Sequence, residues 1–337
     1  MSDDAAPTDG RDATRIDDGG NPPDDLDRRV AATLGGTRRS LSRVRFRESL
    51  TYAALVACGL FSLTVTVAIV AVLLRETSQF FLSDEVSLGD FVGSTRWNPL
   101  LGNTRSYGIW ALVCGTMLVT VVAMAIALPL GLITAIYLSE YAPRRVRGFL
   151  KPILEVLAGV PTVVYGFFAL TVITPLLQVF NDGFNVFNAA SGGIAVGILC
   201  LPTVCSLAED ALQSVPTSLR DGAYGLGGTR FDATIKVVVP AALSGIISAA
   251  LLAIARAVGE TMVVAIACGS RPQLTIDPRD QIQTMTGFMV QMASGDVSNQ
   301  DTAFYSMYAV AFTLFLMTLA ITMIGNLVRR RYREVYE

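Results

Sequence analysis

Six stretches of the chain, 50–74, 109–138, 153–173, 192–207, 237–268 and 302–328, are apolar over close to or more than the roughly 20 residues that a helix needs to cross hydrocarbon. In lipid every backbone N–H and C=O must be satisfied within the structure, so such runs read as membrane-spanning helices. The rest of the sequence agrees. Of 337 residues, 52% are hydrophobic and 16% charged, and a mean hydropathy of +0.51 is too apolar for a soluble domain. The run 192–207 is short and can borrow from either flank. A count of five would make the first run an interfacial helix, against its uninterrupted apolar character. The expected fold class is an all-α membrane protein with six transmembrane helices.

Basic residues orient the spans, because they concentrate in cytoplasmic loops. Arg38, Arg39, Arg43, Arg45 and Arg47 precede the first run, Arg144, Arg145, Arg147 and Lys151 lie between the second and third, and Arg329, Arg330, Arg331 and Arg333 follow the last. In the other loops Asp84, Glu85 and Asp90 offset Arg75, Arg96 and Arg105. Both termini and the loop 208–236 are therefore expected in the cytoplasm of a cell-membrane protein. Trp97 and Trp110 fall near the opposite boundary, where amphipathic rings favour the headgroup layer.

The first 35 residues or so differ in kind. Asp3, Asp4, Asp9, Asp12, Asp17, Asp18, Asp24, Asp25 and Asp27 stand among Gly and Pro with almost no large apolar residue. Such a segment cannot bury enough surface to offset chain entropy, so an acidic, disordered tail is expected over 1–45, ahead of a membrane domain over 46–330. It lacks the short apolar core and cleavage site of a signal peptide.

The chain has no histidine, which excludes histidine-based zinc sites and Ser-His-Asp triads. Cys58, Cys114, Cys200, Cys205 and Cys268 lie in or beside apolar runs without metal-ligand spacing, so they read as small buried hydrophobes. No phosphate-cradling Gly-x-x-x-x-Gly-Lys-Ser/Thr occurs. Neither a metal, a cofactor nor an enzymatic activity is expected.

The loop from Leu219 to Pro240 is longer and more polar than a connection between spans requires. Pro216 suits the first turn of a helix, and Ser218 to Tyr224 can form two turns. The cluster 225–228, Gly-Leu-Gly-Gly, ends them, and Thr229 with Asp232 offers an N-cap for a second helix. This predicts a helix–turn–helix along the cytoplasmic face, either a bare amphipathic surface element or a docking element for a soluble partner. In the fifth run, Arg256 lies near mid-membrane, where insertion costs about 2.5–3.5 kcal/mol without compensation. Glu260 is four residues on, one turn away on a continuous helix. Either the two neutralise each other, or Arg256 offers its planar fork of donors to a passing oxyanion while Glu260 orients it or gates the path. Pro161, between Gly159 and Gly166, should kink or break the third run. Freed backbone there must face protein or a wet cavity, so Thr162 and Tyr165 either line a path or pack helices. Gly193 and Gly197 have the spacing of close helix packing.

The loop resembles the coupling motif of ABC-importer permeases: Glu-Ala-Ala, three residues, Gly, nine residues, Ile-x-Leu-Pro. Asp221, Gly222 and Ala223 occupy its start, Gly227 its glycine, and Val237, Val239 and Pro240 its end, with every spacing kept. Gly222 departs from the pattern and weakens the first helix by about 1 kcal/mol relative to Ala. Arg256-Ala-Val-Gly-Glu260-Thr resembles the signature of phosphate-specific permeases of the PstC/PstA type. Trp97-Asn-Pro99, Gly108, Gly115-Thr116, the stretch 155–166, Glu209-Asp-Ala, Val215-Pro216, Thr284-Met-Thr286 and Asn326 resemble the PstC branch.

The resemblance implies the type I ABC importer permease (MetI-like) fold and a non-catalytic subunit that passes phosphate by alternating access. It further implies a second, PstA-like permease, two PstB-like ATP-binding subunits and an extracellular PstS-like phosphate-binding protein as partners. Arg220, Asp221, Gly222, Ala223, Gly227 and Pro240 would then couple to the ATPases, and Arg256, Glu260, Thr162 and Tyr165 would form the substrate path. A permease for another oxyanion or small solute, and a non-transporting scaffold or sensor that docks ATPases, are the alternatives.

Overall fold

The computed structural model describes residues 24–83, 86–99, 105–295 and 301–331, with side chains from residue 48 to 329. Residues 1–23, most of the expected acidic tail, lie outside this set. The chain forms two compact units, one ending at Ile69 and one beginning at Val70.

The first unit is the leading part of α1 (Asp24–Leu82), whose apolar stretch is long enough to cross a membrane. The helix begins inside the stretch expected to be disordered, because Leu26, Arg28, Arg29, Ala31, Ala32 and Leu34 are good helix formers. Leu50, Leu55, Phe61, Val67 and Ile69 are all exposed, as suits a helix apolar on every side.

The second unit continues with α2 (Leu88–Gly93), the antiparallel pair β1 (Trp97–Asn98) and β2 (Ser106–Tyr107), and α3 (Trp110–Ile136), which runs into a π-helical turn, Tyr137–Tyr141. Next come α4 (Arg144–Gly159), α5 (Thr162–Phe168), a π-helical turn Ala169–Ile173, α6 (Thr174–Phe180) and α7 (Ala189–Gln213). The short α8 (Thr217–Gly225) and α9 (Arg230–Ala233) are followed by a third π-helical turn, Thr234–Val238, and by α10 (Val239–Ala241). The unit ends with α11 (Leu243–Val258), α12 (Met262–Ala267), α13 (Met285–Ser294) and α14 (Thr302–Arg331).

At the centre α3 lies along α7, and α11 packs on both. Lipid is as apolar as a leucine side chain, so membrane helices associate through close van der Waals contact, which small residues permit. A Cβ at Gly193 would stand 2.6 Å from Val122 Cβ, and one at Gly197 would stand 2.9 Å from the Ala123 carbonyl. The Gly193/Gly197 pair is a packing seam, as its spacing suggests. Around it Val119, Ala123, Leu199, Cys200, Ala253 and Val263 form the main core.

Several expectations shift. The third span does not start at 153: α4 is amphipathic and buries no residue fully, and the membrane-length segment is Thr162–Phe180. The cause is Pro161, which drives Val160 into an extended conformation (φ −67°, ψ 131°) and breaks the helix. The fourth helix is longer than 192–207. Asn188 caps its start by accepting from the Ser191 N–H at 2.7 Å, and it runs through Glu209 and Asp210, so the following loop begins at Ser214 and not at 208.

The fifth span is not one helix. Arg230–Ala241 and Leu243–Val258 meet at 67°, where Pro240 interrupts the ladder, and a second break at Gly259–Thr261 separates α11 from α12. Trp97 is 3% exposed and packs inside the protein. It meets Phe91, Tyr107 and Phe288 edge to face in an aromatic core. Trp110 is half-exposed. Cys200, Cys205 and Cys268 are buried, whereas Cys58 is exposed on α1.

Candidate functional site

Pro216 precedes α8 as its N-cap, and α8 ends in a Schellman motif. The Gly228 N–H donates to the Ala223 carbonyl at 3.0 Å and the Gly227 N–H to the Tyr224 carbonyl at 2.9 Å. Gly227 sits at φ 82°, the left-handed conformation that glycine adopts without steric cost. Thr229 then caps α9 in a full capping box: its Oγ1 accepts from the Asp232 N–H at 3.2 Å, and Asp232 Oδ2 accepts from the Thr229 N–H at 3.3 Å. Lys236 Nζ donates to Asp232 Oδ1 at 2.6 Å. The Lys236 bond, then the Thr229 bonds, hold the Asp232 carboxyl at about 2, below its ordinary 3.8.

The resulting hairpin shows Asp221, Gly222, Gly227 and Pro240 to the outside, with Ala223 half-buried. Tyr224, Leu226 and Phe231 are exposed at 43%, 92% and 65%, an apolar set at the tip.

Arg220 points the other way. Its Nη1 donates to the Val215 carbonyl at 2.6 Å, and its Nη2 donates to the Leu212 carbonyl at 2.8 Å and to Glu140 Oε1 at 3.0 Å. A second buried carboxylate lies close by on α7. Glu209 is 1% exposed, and its Oε1 accepts from Arg147 Nε at 2.8 Å, Arg147 Nη2 at 2.7 Å and Gln213 Nε2 at 2.8 Å. Lys151 Nζ stands 3.6 Å from Oε2. Neither Glu140 nor Glu209 was singled out as a paired carboxylate from sequence; their placement beside polar ends of apolar runs is the only signal.

The second set of residues lies around the break after α11. Arg256 is on the last turn of α11, and its Nη1 donates to Thr203 Oγ1 of α7 at 2.9 Å. Glu260 is off that helix. Gly259 ends α11, the Glu260 carbonyl accepts from Thr286 Oγ1 at 2.7 Å, and its Oε1 faces the Val263 N–H at 3.4 Å. No Arg256–Glu260 ion pair occurs among the described residues, so the one-turn spacing expected of a continuous helix does not bring the two charges together.

Thr203 was missed because a lone threonine in an apolar run carries little signal. It borders a cavity of about 290 Å³ between α4, α7 and α11, lined also by Lys151, Glu155, Ser206, Glu209 and Leu252. Thr162 is half-buried at the start of α5. Tyr165 is 6% exposed and shares the core with Ala253 and Ala257, and its hydroxyl donates to the Leu157 carbonyl at 2.7 Å, bridging the break at Pro161.

Residues 127–334 match the family described as binding-protein-dependent transport system inner membrane component. The chain is 35% identical over 298 residues to the probable ABC transporter permease protein YqgH of Bacillus subtilis, covering 87% of this chain and 93% of that one. It is 31% identical over 255 residues to the phosphate transport system permease protein PstC of Mesorhizobium japonicum, covering 70% of this chain and 76% of that one. A solved bacterial ABC transporter involved in import of the polysaccharide alginate has the same fold, with a TM-score of 0.62 at 13% identity over 88% of this chain and 100% of that one. The kinked all-helical bundle with its outward hairpin and these matches lead to one assignment: the chain belongs to the binding-protein-dependent transport system inner membrane components, the non-catalytic permease subunits of ABC importers, which work with separate ATPases and a solute-binding protein.

Proposed function

We propose that the chain is one of two permeases forming the path of a phosphate importer, with Arg256 contacting the anion. The observation that carries this reading is the Arg256 guanidinium. It lies between α11 and α7 in a membrane segment, held through one nitrogen by a neutral hydroxyl and not by a carboxylate. A planar fork with donors to spare suits an oxyanion. Relatives named as phosphate permeases support the cargo.

Glu260 and Thr162 flank the same path at the breaks after α11 and at Pro161, and Tyr165 braces the break at Pro161. The α8–α9 hairpin docks an ATPase through Asp221, Gly222, Ala223 and Gly227, with Tyr224, Leu226 and Phe231 as the apolar contact and Pro240 setting the bend behind it. Both termini and the hairpin face the cytoplasm. The partners are a PstA-like permease, two PstB-like ATPases and a PstS-like binding protein.

The test is uptake of labelled inorganic phosphate into vesicles holding the full complex, with binding protein and ATP. Wild type accumulates phosphate, and Arg256→Ala abolishes uptake while the complex still assembles. Full high-affinity uptake by Arg256→Ala would remove Arg256 from the path. Accumulation of another oxyanion in place of phosphate would reassign the cargo, and no accumulation of any solute would favour a scaffold.

A further inference from the structure

We infer that the π-helical turn Tyr137–Tyr141 is the point at which the hairpin grips the membrane helices, and that Arg220 is the positioning residue that makes the grip rigid. This inference rests on the reading of the hairpin as the ATPase-docking element. Both hairpin helices reach the same turn. Arg220 of α8 donates to Glu140, and the Arg230 guanidinium of α9 lies 5.2 Å from the centroid of the Tyr141 ring, a cation–π contact.

Arg220 also binds the end of α7. The last carbonyls of a helix have no partner within it, and a basic side chain that bonds them stabilises that end. Arg220 does so at Leu212 and, just beyond the helix, at Val215. One guanidinium thus joins the docking helix to the ends of both central helices, α3 and α7. The side chain is only 16% exposed and Glu140 only 8%. A buried charge-assisted network resists bending, because separating its members strands each of them. A long, flexible ammonium could not serve three acceptors with the same fixed fork. From α7 the linkage continues through Glu209 to Arg147 and Lys151 of α4, the helix that leads to the break at Pro161. Displacement of the hairpin is therefore delivered to α3, α7 and α4 together.

The experiment uses the complete complex in vesicles with binding protein, ATP and labelled inorganic phosphate, and reads ATPase stoichiometry, ATP hydrolysis and uptake in each variant. Arg220→Met and Glu140→Gln keep the ATPases at wild-type ratio and still hydrolyse ATP, but transport per ATP falls by about tenfold, within the usual range of coupling between sites. Arg220→Lys falls between Arg220→Met and wild type. Unchanged transport per ATP in Glu140→Gln would overturn the inference, and so would loss of ATPase binding in Glu140→Gln, since the grip acts after docking. Should Arg220→Met fail to assemble, Glu140→Gln alone decides, because it lies on the turn and leaves the outward face of the hairpin intact. The docking reading is tested separately by a disulfide cross-link from Leu226→Cys to the ATPase: its absence would sink docking whatever the Arg220 variants do.

Discussion

Arg147→Met and Glu209→Gln both weaken the Arg147–Glu209 pair, yet the two losses should differ in size. Glu209 is 1% exposed, while Arg147 and Lys151 are 33% and 40% exposed. In Arg147→Met the carboxylate stays buried and loses both guanidinium bonds. Stranding a buried charge costs about 3–5 kcal/mol, but Gln213 and Lys151 remain within reach, so about 2–3 kcal/mol is expected. In Glu209→Gln the new amide oxygen can still accept from Arg147, and the freed cations turn to water, so the cost is about 1 kcal/mol. At roughly 2–4 °C per kcal/mol, the apparent melting temperature of the purified protein should fall by about 4–12 °C in Arg147→Met and by about 2–4 °C in Glu209→Gln. Unfolding should be scanned at one fixed rate, because irreversible transitions depend on it. Equal shifts, or the larger shift in Glu209→Gln, would refute the argument from unequal exposure.

Gly197→Ala places a methyl 2.9 Å from the Ala123 carbonyl of α3, so overpacking should cost about 1–3 kcal/mol, read as a lower melting temperature and folded yield. Gly148→Ala on α4 meets nothing within 4 Å and should be neutral or slightly stabilising, which separates packing from helix propensity. A third prediction concerns pH. The Asp232 carboxyl is depressed to about 2 when folded, so its contribution to the hairpin is complete above its ordinary pKa of 3.8 and is lost as pH falls through about 2. ATP-driven uptake of wild type and Asp232→Asn should therefore show parallel pH profiles between about pH 5 and 8, and a divergence there would contradict the assigned pairing.

The hairpin was legible almost residue by residue, because glycine, threonine and aspartate act there through local backbone chemistry: Gly227 takes the left-handed position and Thr229 with Asp232 closes the box. The helical class followed from hydropathy, and the Gly193/Gly197 seam from its spacing. What was hidden depends on partners distant in sequence. The pattern around Arg256 and Glu260 suggests one turn of one helix, and only the carbonyl-binding Thr286, 26 residues on, shows that the backbone leaves the helix there. Hydropathy likewise let the third run begin inside α4, since an amphipathic helix and the start of a span have similar composition until Pro161 divides them. The aromatic core around Trp97 was hidden too, because Phe288 of α13, its partner there, cannot be identified from spacing.

The three π-helical turns carry a mechanical consequence. They lie at Tyr137–Tyr141, Ala169–Ile173 and Thr234–Val238, each within or at the end of a longer helical run. A π-helical turn holds one residue more than an α-helical turn. Tightening one to α-helix would advance the screw by a residue and swing every side chain beyond it by about 100° around the axis, with little change in length. Each such turn is a stored step of rotation, and two of the three sit where the hairpin meets the bundle. A change of either of these two turns to α-helix would rotate the hairpin against the bundle rather than only shift it.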